Sequence, residues 1–232
     1  MPGSGKRVQF FKHETRRRNR KMHQKNGFSF IELLVVIGII TVLAGIAIIT
    51  FHNYKPTMKI NGAARQIHSD LMQSRMKAVS ENNNYVVAFI PLTNSYKIYD
   101  DNDNSVTSIS PTLNENELIK SVSFDTVTNE FYGAVFGFVD GVLETDGVTP
   151  LNPGDDPVTF PCTSGGIIWT SFQPNGRSDT DCFVGIEEGI YLILKEDLDA
   201  EKKGRMRAIT VSTSGKVKVW RYYEEGGVDK WK

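Results

Sequence analysis

Nineteen consecutive residues, Leu33 to Phe51 (LLVVIGIITVLAGIAIITF), carry no charge. A helix needs roughly 20 apolar residues to cross a hydrocarbon core of about 30 Å, so this run reads as a membrane span. It is too long for the apolar region of a cleaved secretory signal, which is about 7–15 residues. Glu32 stands alone at its entrance. A carboxylate at the mouth of a membrane helix is costly unless a partner neutralises it.

The net charge of zero over 232 residues conceals two opposed segments. Residues 1–27 hold nine Lys and Arg against one acid, Glu14, whereas the rest holds 18 basic and 26 acidic residues. The basic end marks the cytoplasmic side of the span. The acidic remainder argues against a general polyanion binder. About 180 residues follow the span, enough for one globular domain, and their β-branched and aromatic content argues against disorder.

The stretch Gly27-Phe28-Ser29-Phe30-Ile31-Glu32-Leu33-Leu34 resembles the class III signal of type IV prepilins and type II secretion pseudopilins. The resemblance implies that a prepilin peptidase cuts between Gly27 and Phe28 and methylates the amine of Phe28. Glu32 then becomes the fifth mature residue, paired during assembly with the terminal amine of a neighbouring subunit. The physics agrees with that pairing. Opposite charges leave water together when each neutralises the other, and a helix N-terminus favours a negative charge. The alternative is an ordinary signal anchor in which the Glu is accidental. A leader starting at Met22 is expected, with a longer leader from residue 1 as the alternative.

Residues 28–82 read as one long helix, divided into a membrane and assembly half (28–54) and an amphipathic half (55–82). In the second half Ile60, Ala64, Ile67, Leu71 and Ala78 recur at helical spacing, while Arg65, Asp70, Arg75 and Lys77 occupy other faces. The pilin pattern has a proline where Ile49 stands. Here Pro56 comes later, so a kink is expected near 52–56.

From Tyr85 the pattern changes to strands: YVVAFI, SYKIYD, ELIKSVSFD, FYGAVFGFV, then GGIIWTSF, FVGIEEGIYLILK, RMRAITVST and KVKVWRYY. Residues 140–165, rich in Pro, Gly and Asp, read as a surface insertion. The fold class is therefore α+β: a pilin fold, with a long N-terminal helix packed on an antiparallel β-sheet domain at 83–232. The stretch GAARQIHSDLMQSRMKAVSENN, together with FQPNGR and the later SGKVK turn, resembles the GspH/FimT group of minor pseudopilins and pilins. Other pilin subunits, the prepilin peptidase and the inner membrane are the partners this implies. The location implied is a single-pass inner-membrane protein with a periplasmic domain, and then a periplasmic or cell-surface filament.

Cys162 and Cys182 fall in the exported part, where oxidising conditions permit a disulfide. Such a bridge would stabilise by roughly 3 kcal/mol in the chain-entropy model. Free or metal-bound thiols are the alternative. Asp100, Asp101 and Asp103 resemble calcium ligands, but Val106 and Thr112 stand where a calcium loop wants Gly and Glu, so no metal is expected. His52 and His68 lie on the long helix with no ligand set around them. No Ser-His-Asp order or phosphate loop appears, and the chain reads as a non-enzyme without a cofactor. Lys216, Lys218 and Trp220 alternate along one strand face, with Arg221 next to them. FimT-type pilins of natural competence bind DNA through Gly-Arg-x-Arg at the corresponding turn. Here Gly215-Lys216-Val217-Lys218 keeps the charge without the bidentate forks. A DNA-capturing minor pilin and a signal-anchored periplasmic enzyme are the alternatives to a purely structural subunit.

Overall fold

The computed structural model describes residues 28–102, 113–179 and 187–232, without the side chains of 48–50, 52 and 53. It divides into two compact units that meet in sequence between Ala47 and Ile48. Each is taken by itself.

Helix α1 (Phe30–Glu81) runs through both units and contains Pro56. In the first unit, none of the stretch Phe30–Ala47 is buried. Thr41 sends its hydroxyl back to the carbonyls of Ile37 and Gly38, at 3.1 and 2.8 Å. This polar side chain is thereby satisfied within its own helix, as a lipid environment demands.

The second unit is an antiparallel β structure built on the rest of α1. Its strands are β1 (Asn84–Ile90), β2 (Ser95–Asp101), β3 (Leu118–Ser123), β4 (Ala134–Phe136), β5 (Thr163–Ser164), β6 (Ile167–Phe172), β7 (Glu187–Leu194), β8 (Arg207–Ser212), β9 (Val217–Glu225) and β10 (Val228–Trp231). Where the sequence reading expects one sheet there are two, ordered β3-β2-β1-β6-β5 and β10-β9-β8-β7-β4. The strand expected at 131–139 is cut to three residues, because Gly133 turns the chain and bonds Phe124 O at 3.2 Å.

The main core joins α1 to both sheets. Ile60, Ala63, Ala64, Ile67 and Leu71 meet Tyr85, Val87 and Phe89 of the first sheet and Ile190, Leu192 and Ile209 of the second. Phe89 is its aromatic centre, with ring centroids 5.8 Å from Phe136 and 5.9 Å from Tyr96. Gly62 lets the helix approach Phe131 closely, since a Cβ there would lie 2.2 Å from the ring.

Each sheet buries its outer face as well. Val86, Ala88, Tyr99, Cys162 and Trp169 cluster behind the first. Behind the second lie Phe138, Val139, Val142 and Leu151, packed on Tyr191, Ile193, Ala208 and Tyr222. The segment 140–165, expected as a surface insertion, takes part in this cover. Its tips are exposed, but Val142, Leu151, Val158, Phe160 and Cys162 are buried. The segment folds back on itself through a Leu143–Pro150 bridge and runs beside β7 through Val158–Ile190. It then supplies β5 to the first sheet. An apolar sheet face must be covered, and this Pro- and Gly-rich stretch does the covering.

Asp70 is 4% exposed and accepts from Tyr96 Oη at 2.6 Å and Lys120 Nζ at 2.7 Å. It ties α1 to β2 and β3. Burial, then the Asp70 hydrogen bond and charge, pushes the Tyr96 phenol far above its ordinary value. Asp70→Ala leaves a buried hydroxyl and a half-covered ammonium unpaired. It is expected to cost roughly 2–3 kcal/mol, read as an earlier denaturant midpoint with the slope unchanged.

Glu144 in the covering segment is half-buried. Burial, then the charges of Asp146, Glu188 and Asp155, holds its carboxyl above the ordinary range. The folded state therefore keeps this proton to higher pH than the unfolded chain does. At neutral pH the charged form weighs against the fold, and the penalty fades as pH falls through the folded value. Glu144→Gln is expected to raise the thermal midpoint at neutral pH and to match the wild type by about pH 4. Paired melting curves across that range check it.

Candidate functional site

Three places in the chain could carry function. The first is the start of α1. Phe28 is 83% exposed, and Glu32 lies exposed in the first helical turn. Gly27, the residue before the expected cut, lies outside the described residues. Among the described residues no cation pairs with Glu32. The first unit thus presents an apolar rod with no protein cover and one carboxylate at its head. Such a surface calls for lipid or other apolar helices.

The second place is where the two motif turns meet. Gln173 N and Arg177 O close the FQPNGR turn at 2.9 Å, and Gly215 N and Ser212 O close the other at 2.7 Å. Arg75 of α1 donates from Nε to Gly176 O at 2.7 Å and from Nη2 to Ser214 O at 3.4 Å. Gly215 has φ +74°, and a Cβ there would fall 2.1 Å from Gly176 O and 2.9 Å from Arg75 Nε. The turns therefore touch backbone to backbone, with the guanidinium bridging them.

Lys216 follows this contact and is exposed. Lys218 sits over the Trp220 ring, 4.8 Å from its centroid. Trp220 is half-buried and donates its indole N–H to Thr210 Oγ1 at 2.8 Å. Alternation along β9 puts Lys216, Lys218 and Trp220 toward the covered outer face and Arg221 on the other. There Arg221 is the register partner of Arg207. The structure so brings Lys216 and Lys218 together and separates Arg221 from them. Arg207 is buried and donates to Asn61 Oδ1 of α1 and to Met206 O, both at 2.7 Å. Burial, then the nearby Arg221 charge, lowers the Arg207 guanidinium to about 10.

Cys162 is 2% exposed, packs on Trp169 and is disulfide-bonded. Cys182 lies outside the described residues, as does Asp103. Asp100 accepts a hydrogen bond from Asn83 Nδ2.

The third place is the exposed face of α1 in the second unit: Tyr54, Met58, Arg65, Ser69, Gln73, Met76 and Val79. Tyr54, Met58, Met76 and Val79 give it an apolar character that the β domain leaves uncovered.

The sequence reading set Asp70 and Arg75 aside as polar faces of the helix, yet each makes a contact that fixes α1. The position of Asp70, next to Leu71 on the buried stripe, is the signal that could have found it. Nothing local announces the partners of Arg75, which lie 101 and 139 residues away.

A family model described as the prokaryotic N-terminal methylation motif matches residues 22–48. No curated protein and no solved structure matches the chain. The matched segment holds Gly27, Phe28, Glu32 and most of the apolar run. With the α+β architecture the match supports a type IV pilin-like chain, and the stretch Phe30–Ala47 is long and apolar enough to cross a membrane.

Gly215→Ala would require a left-handed alanine and a displaced Gly176 carbonyl. The expected loss is roughly 2–5 kcal/mol. Chemical denaturation measures it, and Ser214→Ala, with no such conflict, is expected to stay near wild type.

Proposed function

We propose that this chain is a minor pseudopilin or minor pilin of the GspH/FimT group. In this reading residues 1–27 are a leader removed between Gly27 and Phe28, and Phe28 is N-methylated. Residues 28–54 are the membrane and assembly segment, 55–82 the amphipathic half of the helix, and 83–232 the periplasmic β domain. A Cys162–Cys182 bridge holds the covering segment.

The observation that carries the reading is the apolar stretch Phe30–Ala47. It is wholly unburied within the chain and carries Glu32 in its first turn, inside the segment that matches the methylation motif. Such a helix can leave lipid only by packing against other apolar helices. Glu32 then follows it into low dielectric only with a cation, and the new terminal amine of a neighbouring subunit is the cation that assembly supplies. The exposed Tyr54, Met58, Met76 and Val79 would give the second unit a packing face of its own.

A DNA-capturing role is a second reading, favoured by Lys216 and Lys218 beside the Gly215 turn. The separation of Arg221 and the commitment of Lys218 to Trp220 weaken it. Salt-dependent DNA binding that disappears in Lys216→Ala/Lys218→Ala would establish it.

Mass spectrometry of the protein from its native host is expected to find a chain beginning at N-methyl-Phe28. Glu32→Ala is expected to insert and be cleaved, yet to fail to enter sheared filaments or pseudopili. Incorporation at the wild-type level would overturn the pairing argument. It would favour a signal-anchored enzyme or binding domain, which has no use for Glu32.

A further inference from the structure

The β-rich unit carries a cleft of about 350 Å³ that none of the readings above uses. Its walls include Lys55, Pro56 and Lys59 of α1, Tyr132, and the pair Lys195 and Glu196. Three ammonium groups and one carboxylate thus line one small space.

Glu196 is the one acid among the described residues at the cleft and stands 3.6 Å from Arg205 Nη1, a cation it shares with the buried Asp197. Lys195 reaches Asp199 at 3.3 Å, but both side chains are more than 60% exposed. A pair so exposed holds Lys195 weakly. Lys59 donates to the neutral carbonyl of Tyr132 at 2.8 Å and lies 6.0 Å from the Tyr132 ring centroid. Among the described residues neither Lys55 nor Lys59 has a carboxylate partner. The cleft therefore holds a surplus of positive charge, in a unit whose chain is otherwise acidic.

Its place along the helix narrows the ligand. The uncharged run ends at Phe51. Lys55 follows by four residues and Lys59 by eight, about 6 and 12 Å further at 1.5 Å per residue. The headgroup layer on one side of a bilayer is roughly 5–8 Å deep. Lys55 is thus held by the chain within reach of the headgroup layer, and Lys59 lies one turn further, its flexible stem able to lean back toward that layer. A half-exposed tyrosine beside them suits the same boundary, where amphipathic rings collect. Lysine, a compact charge on a flexible stem, is a common phosphate ligand.

We propose that this cleft receives the phosphate of an anionic phospholipid in the leaflet from which the domain emerges. Lys55 and Lys59 contact the phosphate and Lys195 closes the rim. The inference rests on reading residues 33–51 as a membrane span. It adds a lipid-binding site that would hold the subunit at a fixed depth before assembly.

The test uses the full chain in neutral detergent, titrated with phosphatidylglycerol or with phosphatidylcholine of the same acyl chains and followed by native mass spectrometry. One phosphatidylglycerol is expected to bind in preference to phosphatidylcholine. Lys55→Gln/Lys59→Gln is expected to weaken it on the order of tenfold. Lys55→Arg/Lys59→Arg should keep the preference, which separates lost charge from lost fold. Equal binding of the two lipids, or an unchanged Gln variant, overturns the proposal. Glycerol 3-phosphate that displaces the lipid at equal concentration also overturns it, in favour of a soluble phosphate ligand. Alkaline extraction of membranes reads the supporting assumption separately. A chain released by it removes the span and the proposal together, whereas a retained chain without lipid preference removes the cleft assignment alone.

Discussion

One helical stripe organises the β-rich unit. Ile60, Ala63, Ala64, Ile67, Leu71 and Ala78 are each fully or almost fully buried, and both sheets pack on them. Burial of apolar area at about 25 cal/mol per Å² supplies the driving force, but it is indifferent to small rotations of the helix. Polar contacts remove that freedom. Asn61 reaches Arg207 in the second sheet, Asp70 reaches Tyr96 and Lys120 in the first, and Arg75 reaches the two glycine turns. They lie along the helix from one end of the stripe toward the other, so its rotation and its height are both specified.

The first unit follows the opposite logic. Its apolar residues find nothing inside the chain to cover them, and among the described residues its only acid, Glu32, stands at the exposed end. A second unit with a closed core needs no help to keep its shape. In the proposed reading a first unit with none acquires its environment from outside, first lipid and then other helices. On that reading, storage in a membrane and packing into a filament both place their demands on this first unit, and a change there need not disturb the fold of the second.

Much of this was readable from the residues. The apolar run, Glu32 and the change from helical to alternating pattern at Tyr85 are local signals, and the helix bounds and most strands followed them. The division into two sheets was not readable, because alternation reports which residues share a face and not which strand lies alongside. One clue was present. In NYVVAFI the five central residues are all buried, and a strand apolar on both faces must be covered on both. The covering role of 140–165 was hidden for a related reason. Its prolines and glycines describe backbone irregularity, and the sparse apolar residues Val142, Leu151, Val158 and Phe160 have no period to betray them. Among the site residues, Phe28 and Glu32 stood out because their chemistry conflicts with their surroundings. The lysines around the cleft did not, since Lys195 is more than a hundred residues from Lys55 and Lys59 and only the fold makes them neighbours.

The covering segment touches its sheet through a few apolar side chains and a few backbone bonds, and between those anchors it is held by turns of its own, such as those closed by Asp146 and Asp155. A sheet face of this kind asks for volume and dryness and is indifferent to the order of residues that provide them. Over evolutionary time such a cover can lengthen, shorten and change its exposed chemistry while the strands beneath keep their register. The exposed chemistry of the cover can thus change without reopening the question of how the domain folds.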